Sequence, residues 1–385
     1  MKRKIYYITR TYTHDSNSGG ALMREGAVKQ FCEHGYQVEV ISLSKTLNNI
    51  SLDNQYLTLF DNGKGSDRVN WTKQRFGFSE DYLDDWANNC VNYLRHKVNK
   101  EDIVFATTGG DLASLKVASL VKDKTDCIYI ANFRDPVLHT TVNNKSLSPF
   151  LHVNRDHLLI KYLNNANLVV TSCNSYKEYI EEKFQGRVIN NHFGFLGNES
   201  NRDYSHLPNN NNSLSIVYAG TLNKYQGPNY YPDVFSGLKK TSLTVYSNSD
   251  PFKREHDNIY IKKPVTRDEL YQRIMKNHNA GFVSLSNPYF SVCVPSKIYE
   301  YINIGLPIFG FLPDGEARSI VNDNNFGYIA KEGKYSELRQ KLGYYSNRLE
   351  LVDDLKMNVQ NSRDKWSMKH LFSDLIEEIK LLGDR

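Results

Sequence analysis

Two rhythms of apolar and polar positions run along the chain. Short apolar runs at 4–8, 38–43, 103–106, 127–133, 167–171, 215–219, 242–247, 259–261 and 307–312 have the length of strands, and several are continuous rather than alternating, as strands buried on both faces are. Between them, residues 21–34, 80–98, 111–122, 175–184, 267–278 and 297–304 repeat apolar side chains at helical spacing. In 21–34 the repeating face is Leu22, Ala27, Val28 and Phe31, and Gly35 stops the helix. Strand, helix and strand in succession predict parallel sheets with helical crossovers. Residues 48–78, polar and mixed around Trp71, fit neither rhythm.

The run 196–213, dense in Asn, Gly, Ser and Pro, reads as a linker. It divides the chain into a first domain, 1–195, and a second, 214–364. In the second domain Gly315 and Glu316 open a helix expected to end at Gly327, and 335–345 and 349–359 are further helices. The tail, 365–385, places Trp366, Leu371, Leu375, Ile379 and Leu382 on one helical stripe.

Composition adds bounds. With 385 residues the chain can bury two cores. A net charge of +5 without runs of Lys and Arg fits an anionic ligand and gives no sign of a nucleic-acid-binding arm. The five cysteines form no close pair, so no zinc or disulfide framework is readable and a reducing cytoplasm is the default. The opening MKRKIYYIT has only a strand-length apolar run, and 304–312 is half a membrane span, so a soluble protein without a signal peptide is expected.

Candidate chemistry is densest in 287–330. Pro288 breaks the chain after a strand, Ser296 stands where a helix N-cap would, Lys297 falls in the first turn, and Glu300 lies one turn on, on the same face. Such a helix start lies at the carboxyl edge of a parallel sheet, where unpaired N–H groups and the helix dipole favour an anion. A lysine there suits a bound phosphate, and a carboxylate beside it suits two neighbouring sugar hydroxyls. The same pair can be an exposed helical ion pair worth ~0.3–0.5 kcal/mol. Gly19 and Gly20 stand at an earlier helix entrance, where the plain reading is a flexible turn, and the G-x-G-x-x-G of a dinucleotide dehydrogenase is missing. Arg134 and Asp135 follow the 127–133 strand, as site groups or as an ion pair capping a helix, with His139 nearby as a site group or a surface residue.

The run P-S-K-I-Y-E-Y-I-N-I-G-L-P-I, residues 295–308, resembles the donor-binding helix of family 4 glycosyltransferases, retaining enzymes of the GT-B fold. The resemblance implies two Rossmann-like domains facing each other across a cleft, with the 365–385 helix returning to the first. It implies a nucleoside-diphosphate sugar held mostly by the second domain, with Glu300 on the ribose and Lys297 and the Ser296 and Lys297 amides on the diphosphate. The family's second Glu, eight residues earlier, is Val292 here, which leaves backbone groups of 291–294, Cys293 among them, for the transferred sugar. After Gly220 the family carries an Arg and, before the next glycine, a Lys; this chain has Thr221 and Gln226, so Lys224 is the remaining helper for Lys297. Pro264 lies in the loop that meets the base, residues 188–195 match the strand leading into the interdomain crossing, and Gly19-Gly20 correspond to the loop over the donor phosphates.

F-R-D-P, residues 133–136, is similar to a segment of family 4 enzymes that build bacterial polysaccharides, with Val137 in place of their Trp. This implies an acceptor side on which Asp135 lies nearest the incoming hydroxyl, Arg134 orients it, and His139 is a second candidate. The expectation is a cytoplasmic, metal-independent transferase with no cofactor beyond its donor, acting on a glycan or lipid-linked acceptor in capsule, lipopolysaccharide or related synthesis. The mild basic charge leaves room for peripheral contact with the cytoplasmic membrane leaflet. Asp84-Asp85 and Asp353-Asp354 fall on predicted helices rather than at a strand end, as a metal site would need. A UDP-sugar 2-epimerase on the same fold, or a non-catalytic nucleotide- or carbohydrate-binding partner in a glycan assembly, are the alternatives.

Overall fold

The structure, a computed structural model, describes residues 3–12, 19–43, 50–52, 55–63, 67–137, 141–142, 145–146, 149–196, 212–252 and 256–383. The chain divides into two compact units: Met1–Phe193 with Met368–Arg385, and Gly194–Ser367. Most of the expected linker, and His139, lie outside the described residues.

In the first unit the strands are β1 (Lys4–Thr9), β2 (Gln37–Leu43), β3 (Ile50–Leu52), β4 (Gln55–Phe60), β5 (Ile103–Gly109), β6 (Ile128–Asp135), the short pair β7 (Thr141–Val142) and β8 (Lys145–Ser146), β9 (Leu168–Thr171) and β10 (Val188–Asn190). Eight of them form one sheet in the order β10-β9-β6-β5-β1-β2-β4-β3, parallel except for the edge strand β3. The order reverses at β1, which pairs with β2 on one side and β5 on the other. Residues 48–78, unassigned by periodicity, supply β3, β4 and a helix, Asp67–Arg75. The apolar pattern is masked there because buried Thr58 stands between Leu57 and Leu59, its hydroxyl donating to the Glu39 carboxylate (3.2 Å).

Tyr7, Phe31 and Phe105 interlock in this unit's core, and Phe372 of the C-terminal helix Met368–Gly383 meets Phe31 edge-on at 4.9 Å. Leu375, Ile376 and Ile379 of the same helix are buried. Trp366 is not on that stripe. It sits in a separate short turn, Arg363–Trp366, in the second unit, with its ring 6.2 Å from Tyr299 and 6.4 Å from Phe326.

The second unit has strands β11 (Leu214–Ala219), β12 (Thr241–Tyr246), β13 (Ile259–Lys262), β14 (Ala280–Ser284), β15 (Ile308–Leu312) and β16 (Gly327–Lys331). All are parallel, in the order β13-β12-β11-β14-β15-β16, so this sheet reverses at β11. β16 corrects the expectation that a helix runs to Gly327. That helix, Glu316–Asp323, ends sooner, and Gly327 opens the strand because a Cβ there would lie 1.9 Å from the Ile308 carbonyl of the paired strand. Among the described residues no helix is long and apolar enough to cross a membrane.

Candidate functional site

Open α/β sheets bind ligands at the carboxyl ends of strands, where the strand order reverses. In the second unit that point lies between β11 and β14. The two strands pair over only two residues, Ile216 with Ala280 and Val217 with Gly281. The buried Tyr301 hydroxyl donates to the Val217 carbonyl (3.0 Å) and the Phe282 carbonyl (3.2 Å) across the join. Gly281 makes room for this ring, since a Cβ there would lie 2.5 Å from it. Tyr301 therefore pins its helix, Ser296–Ile304, over the reversal point. Lys297, one turn earlier, is carried to the carboxyl edge.

The N-cap of that helix is Pro295, not Ser296, and no side chain caps it, so the first-turn N–H groups lack a side-chain acceptor. Ser296 is its first residue, half-buried. The Lys297 ammonium lies over the Tyr218 ring, 4.9 Å from its centroid, and 2.8 Å from where a Gly220 Cβ would stand. Gly220, at φ +134°, follows β11 directly. The Tyr218 hydroxyl donates to the Thr221 carbonyl (2.6 Å) and ties this exit loop back.

Among the described residues Lys297 has no ion pair, Glu300 included, so the helical salt bridge open to the sequence does not form. The residue is half-buried, and its desolvated ammonium has a pKa pulled down to about 8, with the charge of Glu300 opposing the fall. An ammonium without a carboxylate among the described residues at this edge has the chemistry to hold an anion.

Glu300 is engaged from another direction. Arg267 Nη2 donates to both of its oxygens (3.0 and 3.2 Å), and the Tyr271 hydroxyl donates to one of them. Both partners sit on the helix Arg267–Asn277, capped by Thr266, and Arg267 stacks over Tyr271 at 5.4 Å. Burial and the carboxylate together push the Tyr271 hydroxyl pKa up. The Arg267–Tyr271 clamp was missed from the sequence. Their i,i+4 spacing was visible, but their partner lies far along the chain.

The remaining expected residues of this unit gather on the same loops. Lys224 lies in the short turn Lys224–Gln226, its ammonium 5.1 Å from the Tyr225 ring centroid. Gln226, noted for replacing a cation, closes a capping box, accepting from the Asn223 N–H at 3.0 Å. The Ser286 N–H donates to the Tyr225 carbonyl (2.7 Å), joining this loop to the turn Pro288–Val292 after β14. Val292 is half-buried there, and Cys293 is buried, its N–H (3.4 Å) and its thiol (3.5 Å) both donating to the Phe290 carbonyl. Gly315 backs the turn: a Cβ there would lie 2.2 Å from the Ser291 carbonyl. Pro264 is exposed in the loop after β13.

In the first unit Gly19 and Gly20 open the helix Gly19–Glu33. Gly20 has a specific use: Arg134 Nη1 donates to its carbonyl (2.6 Å), and a Cβ there would stand 2.7 Å from the guanidinium. Arg134 and Asp135 belong to the end of β6 itself, past an irregularity in its pairing with β5. Their charged atoms approach to 4.0 Å, and the Asp135 carboxylate is exposed.

No protein-family model matches the sequence, and no curated protein matches it. In structure the chain is similar to sucrose-phosphate synthase from Thermosynechococcus elongatus, with a TM-score of 0.75 at 12% identity over 99% of each chain. It is similar to Anabaena HepE in complex with UDP-glucose, with a TM-score of 0.66 at 13% identity over 98% of this chain and 99% of that one. It is also similar to the lipopolysaccharide outer core galactosyltransferase WaaB, with a TM-score of 0.64 at 12% identity over 97% and 99%. Two parallel sheets with interleaved helices, matched to these structures end to end, give the chain the GT-B fold.

Proposed function

We propose that this protein is a retaining glycosyltransferase of the family 4 type that moves a sugar from a nucleoside diphosphate to an acceptor hydroxyl, in the cytoplasm, during synthesis of a bacterial surface glycan. The observation that carries the reading is Lys297: a desolvated ammonium without a carboxylate, set against Gly220 at the sheet reversal, with Glu300 one turn away. Lys297 and the first-turn amides take the diphosphate, whose negative charge grows as the glycosidic bond breaks. Glu300, held rigid by Arg267 and Tyr271, keeps acceptor capacity for the ribose hydroxyls. Asp135 is assigned to the acceptor hydroxyl and Arg134 to its orientation. UDP-glucose in the HepE complex and the lipopolysaccharide role in WaaB's description support the donor class and the pathway.

Gln226, locked into its turn by the capping box, supplies no charge to a leaving group, and this favours a second reading, a binding partner without turnover. Incubation with UDP-sugars, with and without glycan acceptors and with and without a chelator, separates the readings. Transfer at a rate indifferent to chelator is the expected result. Isomerised donor without acceptor would make the protein an epimerase, and nucleotide binding without turnover would make it a binding partner.

A further inference from the structure

A second cluster of cations lies at the reversal point of the first unit's sheet. Arg10 follows β1, Arg24 lies on the helix Gly19–Glu33, Arg134 ends β6, and Arg155 comes from the helix Pro149–Leu163. Three of the four face a carboxylate: Arg10 with Asp111 at 4.0 Å, Arg134 with Asp135 at 4.0 Å, and Arg155 with Asp81 at 3.4 Å. Arg24 does not. It is 5% exposed, makes no ion pair among the described residues, donates from Nη1 to the Thr11 hydroxyl, and leaves its buried Nε without a partner. Its Nη2 would stand 3.4 Å from a Cβ at Gly109, and the Asp135 carboxylate approaches the same glycine without coming into ion-pair range of Arg24.

Among the described residues four guanidiniums therefore meet three carboxylates, and the surplus charge is Arg24, buried without an acid. Burial pulls its pKa down to about 9, and the neighbouring charges of Arg134 and Arg10 add to the fall. An unpaired buried charge costs several kcal/mol, and a fold carries such a cost where a ligand later offsets it. The two 4.0 Å pairs flanking Arg24 are loose, so Arg10 and Arg134 can turn further donors to the same ligand. Each guanidinium has five N–H groups in a rigid fork, a match for the oxygens of a phosphate rather than for a neutral sugar.

We infer that the first unit has an oxyanion site of its own, built on Arg24 with Arg10 and Arg134, that holds a phosphoryl group carried by the acceptor. The word acceptor rests on the sugar-transfer reading; the anion site does not. The test is thermal unfolding of the full chain at constant ionic strength while inorganic phosphate replaces chloride.

The wild type is expected to show a saturable rise in Tm that persists when UDP occupies the second unit and persists in Lys297→Met. Arg24→Met is expected to lose the phosphate response that wild type shows with UDP bound, to keep the UDP response, and to melt no lower than wild type without phosphate, because the substitution removes a surplus buried charge. No saturable rise, or a rise undiminished in Arg24→Met, overturns the site. A phosphate response abolished by UDP assigns the anion to the donor and overturns the acceptor assignment. Should Arg24→Met fail to fold, wild type with and without UDP and Lys297→Met still decide the question. A phosphate response without any UDP response leaves the anion site standing while the donor reading falls.

Discussion

Replacing Lys297 by methionine removes the ammonium and keeps most of the stem. Removing one partner of a buried ion pair destabilises a fold by about 3–5 kcal/mol, but Lys297 has no carboxylate to leave behind, so the sign should reverse. Its pKa falls from 10.5 to about 8 on folding, which at 1.36 kcal/mol per pH unit means that keeping it charged at pH 7 costs roughly 3 kcal/mol. Loss of the contact with the Tyr218 ring offsets ~0.5–1 kcal/mol of that. The unliganded Lys297→Met protein should gain about 2 kcal/mol, or roughly 4–8 °C in the melting of the second unit.

The pH dependence has a definite direction. The folded pKa lies below the unfolded one, so between about 8 and 10.5 the unfolded chain binds more protons, and this group's contribution to stability rises with pH there. Below 8 both states are charged and the penalty is constant. UDP binding runs the other way: affinity should be flat below pH 8 and fall toward tenfold per pH unit above it, while Lys297→Met binds weakly with no slope. Calorimetric melts over pH 7–10 and UDP titrations over pH 7–9 read both effects. A variant that melts below wild type and binds UDP as tightly would refute the anion-seat argument and make Lys297 a structural residue.

Two further substitutions probe the same site. Gly220→Ala should cost ~1–3 kcal/mol for its φ of +134° and, by displacing an ammonium 2.8 Å from the new Cβ, weaken UDP about tenfold; titration of the folded variant checks it, and unchanged affinity would detach Gly220 from Lys297. Glu300→Gln should weaken UDP by about 1.5–3 kcal/mol while leaving pyrophosphate binding intact, whereas Lys297→Met weakens both; equal losses for the two ligands would show that Glu300 does not grip the nucleoside.

The sequence was most readable where the physics is local. Alternating strands and helices, the Thr266 cap, and Lys297 and Glu300 one turn apart all follow from neighbours within a few residues. What escaped depends on partners distant in sequence. Gly327 looked like a helix stop, whereas it opens β16 because the Ile308 carbonyl crowds it. Gln226 showed only as the place of a missing cation, and its part in closing a turn escaped. Trp366 continued an apolar stripe on paper, whereas the chain leaves the second unit right after it. Arg24 gave no signal, because an arginine among apolar helix positions is usually an exposed one; only the fold shows that it is buried without an acid.

Lys297 and Arg24 share a physical logic that neither sequence position reveals. Each stands where its sheet reverses order, each lacks a carboxylate among the described residues, and each has a pKa pulled down by burial. A cation paired with an acid would cost less in the empty protein, but an incoming phosphate would then have to displace that acid. Leaving the cation unpaired moves the cost into the unliganded state and turns it into affinity when the anion arrives. The two groups also differ in chemistry: burial lowers the pKa of both, but a guanidinium holds its proton far more firmly than an ammonium. Anion binding to the second unit should therefore weaken above about pH 8 while binding to the first unit persists, which ties each response to its own side chain.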